Sequence, residues 1–201
     1  MLSVTDLACS RGERPLFRQL SFSLAAGQWL HVTGDNGAGK TTLLRTVVGL
    51  AAPEHGSVQW QGQPIRGQRE DYHRALCYLG HHAAVKDELT PIENLRTSAA
   101  LDGHAVDETE ARTALKTAGL AGSGRLPTRF LSAGQKRRVL LSRLLLRPAT
   151  LWVLDEPFAA LDTTATEWLG ALLVKHLAGG GMALLTSHQP VPLPPGGVVA
   201  L

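Results

Sequence analysis

The sequence predicts an α/β fold in one domain. It has a mainly parallel sheet, an antiparallel β portion at the N-terminus and a helical subdomain inserted at about residues 82–149. Three observations predict it. Residues 150–154 and 182–186 are continuous apolar runs of strand length, as strands buried on both faces are, and a helical stretch at 163–177 joins them. Residues 2–24 alternate apolar and polar side chains, the period of half-buried strands, with only a turn between them. From about 85 to 149, helix start and stop signals follow one another.

Taken in order, residues 2–7 read as a strand, 12–15 as a turn and 16–24 as a second strand, with Leu16, Leu20, Phe22 and Leu24 on the apolar side. A turn at 25–28 leads into a short strand at 29–33. A helix then follows a glycine-rich loop, with Gly49 near its end. Residues 53–56 are a turn, 57–60 an edge strand, 62–67 a loop and 76–79 a further strand. Thr90, Pro91 and Glu93 form a helix start with a capping box, because Thr90 accepts from the backbone and Pro91 needs no hydrogen-bond partner at the first position. A second helix runs over 107–118 to Gly119, and a third over 133–146, ending before Pro148. After the strand at 182–186 comes a tail rich in proline and glycine, with a last short strand at 198–201.

Composition bounds the function. A chain of 201 residues that is 44% hydrophobic and 18% charged is globular, and long enough for one sizeable core. A net charge of +3 is too small to argue for nucleic acid. Cys9 and Cys77 form neither a disulfide framework nor metal spacing, which points to reduced thiols. No run of 18 apolar residues and no secretory leader is predicted, so the chain is not expected to span a membrane unaided.

The loop between the strand at 29–33 and the helix after it is Gly34-Asp35-Asn36-Gly37-Ala38-Gly39-Lys40-Thr41. Glycine, four residues, then Gly-Lys-Thr between a strand and a helix is the pattern of a phosphate-binding loop. Glycines let backbone N–H groups face the phosphates, and the helix N-terminus adds partial positive charge. Lys40 is expected to reach the β- and γ-phosphates, and Thr41 to bind Mg²⁺. The fold is therefore expected to be a P-loop nucleotide-binding core. A second constellation, Asp155-Glu156-Pro157, ends the buried strand at 150–154. Ligands of parallel sheets lie beyond the carboxyl ends of strands, so Asp155 can share a crevice with the loop and serve the metal. Glu156 is placed as general base for an attacking water.

Leu131-Ser132-Ala133-Gly134-Gln135 is a helix start capped by Ser132, with Lys136, Arg137 and Arg138 after it. It resembles the Leu-Ser-Gly-Gly-Gln signature of the ATP-binding cassette (ABC) ATPases, and stands, as theirs does, shortly before the Asp-Glu strand. The resemblance covers essentially the whole chain. It implies that Gly34, Asn36, Gly37, Ala38, Gly39, Lys40, Thr41 and Thr42 form the Walker A loop, and that Leu151 to Asp155 form Walker B with Glu156 as base. It makes residues 159–162 the D-loop and His188 the switch histidine at the γ-phosphate. It further implies head-to-tail homodimers in which Ser132, Gly134 and Gln135 of one copy meet ATP held by the other.

Three positions depart from the family pattern. Ala133 replaces a signature glycine, which a negative φ tolerates. His82, with His81 as alternative, takes the place of the Q-loop glutamine near the metal and nucleotide. Arg11 replaces the adenine-stacking aromatic, and its guanidinium plane can also stack on a base. Trp60-Gln61-Gly62, Gly80-His81, the run from Leu151 to Phe158 and the run from Gly181 to Pro190 resemble the branch of the family that serves cytochrome c maturation and heme export. This implies ATP and Mg²⁺ as cofactors, a membrane-spanning permease and heme-handling subunits as partners, no nucleic acid, and a peripheral place on the cytoplasmic face of a bacterial inner membrane. The alternatives are a subunit of another ABC transporter, or a soluble ABC ATPase acting on nucleic acid or ribosomes. A nucleotide kinase shares only the phosphate loop.

Overall fold

The computed structural model describes residues 1–81 and 84–201. In chain order the elements are β1 (Leu2–Arg11), β2 (Arg14–Leu24), β3 (Trp29–Thr33), α1 (Lys40–Val47), β4 (His55–Trp60), β5 (Gln63–Pro64), α2 (Arg69–Ala75) and β6 (Leu76–Leu79). There follow α3 (Pro91–Leu101), α4 (Glu108–Thr117), α5 (Ala133–Leu141), α6 (Arg143–Leu146), β7 (Leu151–Leu154), α7 (Thr163–Ala178), β8 (Met182–Thr186) and β9 (Gly197–Ala200). They fall into two compact units, one of Met1–His81, Ala149–Pro157 and Leu172–Leu201, the other of His82–Pro148 and Phe158–Ala171.

The first unit carries both sheets. Its parallel sheet has the order β6-β7-β8-β3-β9, and every pairing in it is parallel. β7 and β8 are buried at every residue, which is why they read as unbroken apolar runs rather than alternating ones. The antiparallel sheet has the order β2-β1-β4-β5. Its alternating strands contribute Leu2, Val4, Leu7, Phe17, Leu24 and Val58 to a core completed by Leu43, Leu44 and Val47 of α1 and by Val32, Val153 and Leu184.

The second unit is helical. Ile92, Leu95, Ala99, Ala111, Ala114, Leu115 and Val139 build its core. Capping boxes open three of its helices: Thr90 with Glu93, Asp107 with Glu110 and Ser132 with Gln135. Each pairs two orphan N–H groups with side-chain oxygens, so the starts are sharply placed. Asp102, after α3, joins Arg143 (3.1 Å) and Arg147 (2.6 Å) in a largely shielded triad.

Four details differ from the sequence reading. The helix expected over 133–146 is two helices. The Ser142 hydroxyl donates back to the Arg138 carbonyl at 2.8 Å, a local bond that competes with the helical ladder. The strand expected at an edge, now β4, is flanked by β1 and by two-residue β5. Residues 65–67 are a 3₁₀ turn. Finally, α2 was not anticipated; it is anchored by buried Tyr72, whose hydroxyl donates to the Val47 carbonyl at 2.9 Å. Among the described residues no helix is long and apolar enough to cross a membrane.

Candidate functional site

β3 delivers the chain to the glycine-rich loop and α1 leaves it. Gly34, Gly37 and Gly39 have φ of 141°, 83° and 109°, backbone states closed to most L side chains. Gly34 is also pressed from outside, because a Cβ there would sit 2.9 Å from the Leu201 carbonyl. Asn36 and Ala38 lie between these glycines, and Thr42 follows in the first turn of α1. No side chain caps α1, so no side-chain acceptor competes there with an anion for its first-turn N–H groups. Lys40 Nζ donates to the carbonyls of Gly34 (2.6 Å) and Asp35 (3.0 Å), which folds the ammonium back over the loop.

The end of β7 meets this loop. Thr41 Oγ1 donates to Asp155 Oδ2 at 2.8 Å. Asp155 is 2% exposed, and its backbone N–H is fixed by the Leu79 carbonyl of β6 at 2.8 Å. Its other oxygen, Oδ1, accepts from Thr186 Oγ1 at 2.8 Å, and that hydroxyl accepts from the Glu156 N–H at 2.8 Å. Glu156 has φ of 50°, a left-handed state that a glutamate adopts at a cost. Its carboxylate accepts from the His188 N–H at 3.1 Å, and the His188 ring nitrogen Nε2 lies 3.5 Å from Oε1. Thr41, Asp155, Thr186, Glu156 and His188 are thus one connected array within the first unit. The buried negative charge is felt nearby: the Tyr78 hydroxyl is held above its ordinary pKa by burial and then by Asp155, against a smaller opposing effect of Arg45.

The donor chemistry fits a hard divalent cation, because Thr41 and Asp155 bring a hydroxyl and a carboxylate oxygen to one spot beside the phosphate loop. Thr186 was missed by the sequence reading. The signal was a lone hydroxyl ending an apolar strand, level in the register with the carboxylate that follows the neighbouring one.

Residues 132–135 stand in the second unit. Ser132 Oγ accepts from the Gln135 N–H at 3.2 Å, and Gln135 Oε1 accepts from the Ser132 N–H at 2.9 Å. Gly134 has no room for a side chain, since a Cβ would lie 2.6 Å from the Ala160 carbonyl oxygen. Ala133 is not among the residues with positive φ, so its methyl group introduces no backbone strain. Arg11 ends β1 and is exposed, as is His81; His82 lies outside the described residues.

The profile of the ABC transporter family matches residues 17–159. The chain is 50% identical, over 98% of its length and 97% of the relative's, to the cytochrome c biogenesis ATP-binding export protein CcmA of Dechloromonas aromatica (strain RCB). A solved ATP-binding subunit of an ABC transporter superposes with a TM-score of 0.82 at 28% identity, covering 94% of this chain and 79% of that one. A dimeric ATP-binding cassette in a post-hydrolysis state with ADP and Pi shares the fold at 21% identity, with a TM-score of 0.82 over 94% of this chain and 88% of that one. Since the profile spans most of the chain and the identity runs from end to end, the protein belongs to the ABC transporter family as an ATP-hydrolysing cassette.

Proposed function

We propose that this chain is the ATP-hydrolysing subunit of a membrane ABC complex for cytochrome c biogenesis, in which hydrolysis drives heme export or release of a heme-loaded chaperone. The support is the identity of 50% across nearly the whole length of a relative named for that process. One cassette domain spans residues 1–201, and a homodimer supplies two of them. The partners are a membrane-spanning permease and heme-handling subunits, and the place is peripheral, on the cytoplasmic face of a bacterial inner membrane.

The array from Thr41 to His188 carries the catalytic reading. Backbone N–H groups of 34–42 and the Lys40 ammonium hold the phosphates of ATP. Thr41 and Asp155 hold Mg²⁺, which neutralises phosphate charge when bound. The Thr186 hydroxyl fixes the Glu156 backbone and one Asp155 oxygen, leaving Glu156 to orient and deprotonate water. His188 sits against the same carboxylate, where its ring can face the γ-phosphate. Ser132, Gly134 and Gln135 meet the nucleotide of the second copy, His82 (or His81) takes the Q-loop place, and Arg11 lies against the base.

Purification of Glu156→Gln from membranes in ATP and Mg²⁺ tests this. Turnover is expected to fall by at least ~100-fold while ATP stays bound, and a permease with heme-handling proteins is expected to co-purify. Normal turnover removes Glu156 from the role of base. A soluble ATP-bound dimer without a membrane partner keeps the ATPase and replaces the cytochrome c reading with the soluble one.

A further inference from the structure

β8 and β9 flank β3 and both pair with it in parallel, so residues 187–196 cross β3 to join them. Such a crossover is usually a helix, which satisfies its own backbone groups and packs on the sheet. Here it contains neither helix nor strand and carries Pro190, Pro192, Pro194 and Pro195, so its place has to be fixed by its neighbours. β3 fixes it. Leu30 and Val32 of that strand join the core, and Trp29 and His31, on the opposite face, are half-buried. Trp29 Nε1 donates to the Pro194 carbonyl at 3.0 Å, and Gly196 lies so close to the indole that a Cβ would collide with it. At the other end of the segment, His31 Nε2 lies 3.1 Å from the Ser187 carbonyl oxygen. A carbonyl oxygen only accepts, so Nε2 carries the proton and donates. The two rings are neighbours, with centroids 6.2 Å apart. Alternate residues of one strand thus hold both ends of the crossover.

The bond from His31 falls next to the site. The Ser187 carbonyl and the His188 N–H belong to one planar peptide unit. Its carbonyl accepts from His31, and its N–H donates to Glu156 Oε2 at 3.1 Å. One plane is therefore pinned from both edges, by β3 and by the carboxylate that follows β7. Ser187 Oγ donates to the Gln189 carbonyl at 2.8 Å and accepts from the Gln189 N–H at 3.1 Å, which closes a tight turn around His188. The His188 side chain is 55% exposed, so packing does little to hold it, and its direction depends on the backbone it leaves from. Without the bond from His31 that plane can tip, and the Cα–Cβ direction of His188 tips with it.

We propose that His31 is a positioning residue for ATP hydrolysis: by donating to the Ser187 carbonyl it sets the peptide from which His188 reaches the γ-phosphate. This rests on the reading of His188 given above and goes beyond it by naming what holds that histidine in place. His31 touches neither the nucleotide nor the reacting atoms in this role; it acts through the Ser187–His188 peptide. Loss of its bond therefore slows turnover and leaves nucleotide affinity, which resides mainly in the phosphate loop, nearly unchanged.

The test is steady-state ATP turnover by the whole chain, with kcat and KM separated. His31→Phe keeps a ring beside Trp29 but cannot donate. Its kcat is expected to fall about threefold to tenfold, with KM within about twofold of wild type. His31→Gln brings an amide N–H close to the place of Nε2 and is expected to restore kcat. His31→Asn is too short to reach and is expected to be as slow as His31→Phe. The glutamine and asparagine variants carry the comparison by themselves if the phenylalanine variant does not fold. In the double variant with His188→Ala, His31→Phe is expected to cost no more than about twofold beyond His188→Ala, because it acts through the side chain already removed. Wild-type kcat in His31→Phe overturns the proposal. So does equal kcat in the glutamine and asparagine variants, or losses that multiply in the double variant. If His188→Ala keeps wild-type kcat, the reading of His188 itself fails, and the role of His31 with it. A slow His188→Ala beside a fast His31→Phe rejects the positioning alone.

Discussion

Thr186 shows how much one hydroxyl can fix. It is fully buried, donates to Asp155 and accepts from the Glu156 N–H. Thr186→Val keeps the shape and the β-branch but leaves a carboxylate oxygen and a backbone N–H without that partner, at about 1–3 kcal/mol for an unsatisfied buried group. The left-handed φ of Glu156 persists because surrounding bonds impose it, and this bond is one of them. ATP turnover of Thr186→Val is expected to fall about tenfold or more, while ATP affinity, which depends on the loop, stays within about threefold. Thr186→Ser is expected to restore turnover. Steady-state kinetics and a urea melt of both variants check this; wild-type turnover in the valine variant would show that the hydroxyl does not position the base. Thr186 was not legible in advance because a polar residue at the end of an apolar run marks a strand boundary equally well. Lys40, Thr41, Asp155 and Glu156 were legible because motif spacing and strand ends agree on one crevice.

At the scale of elements, legibility followed burial. β7 and β8 declare themselves because both their faces are covered. α2 escapes because Tyr72 is its one buried side chain, too few to set a period. The break at Ser142 escapes because the apolar pattern runs through it; only the back-bonded hydroxyl reveals it. The end of α7 carries a contact the pattern hides as well. The His176 ring stacks on Trp152 of β7 with centroids 3.7 Å apart and planes 5° from parallel, and its Nε2 lies 3.2 Å from the Met182 carbonyl of β8. Burial pushes the imidazole below its ordinary pKa of 6.5, against smaller opposing effects of the Met182 and Thr150 backbone. The folded state therefore favours the neutral ring. Its contribution is complete above pH 6.5 and is lost as pH falls from there through the lower folded value, because the unfolded chain takes up the proton first. Denaturant melts at pH 7.5 and at decreasing pH are expected to show wild type losing stability below about pH 6.5. His176→Phe, which keeps a stacked ring and cannot titrate, is expected to lose less over the same interval. Equal losses in the two proteins would exclude His176 as a source of the slope.

At the scale of the whole molecule, the proposed homodimer assigns the phosphate loop and residues 132–135 to different copies at each ATP. Two variants separate this arrangement from a site completed within one chain. Lys40→Ala removes the ammonium from the loop. Ser132→Asp retains a good helix cap, so α5 still starts where it does, but it puts a carboxylate where a phosphate is expected. Each variant alone is expected to lose most ATP turnover, because both sites of its dimer contain the defect. In a mixed dimer both defects fall on one site, and the other combines an intact loop with an intact 132–135 segment. Random assortment at equal concentrations makes half of the dimers mixed, so the mixture is expected to recover up to about a quarter of wild-type turnover per chain. Melting curves of the separate variants establish that each is folded before mixing. If the sites were completed within one chain, every chain in the mixture would carry one broken part and mixing would restore nothing. Recovery from two inactive proteins therefore has one source, a site shared between copies, and its absence would remove the dimer from the mechanism while leaving the array from Thr41 to His188 in place.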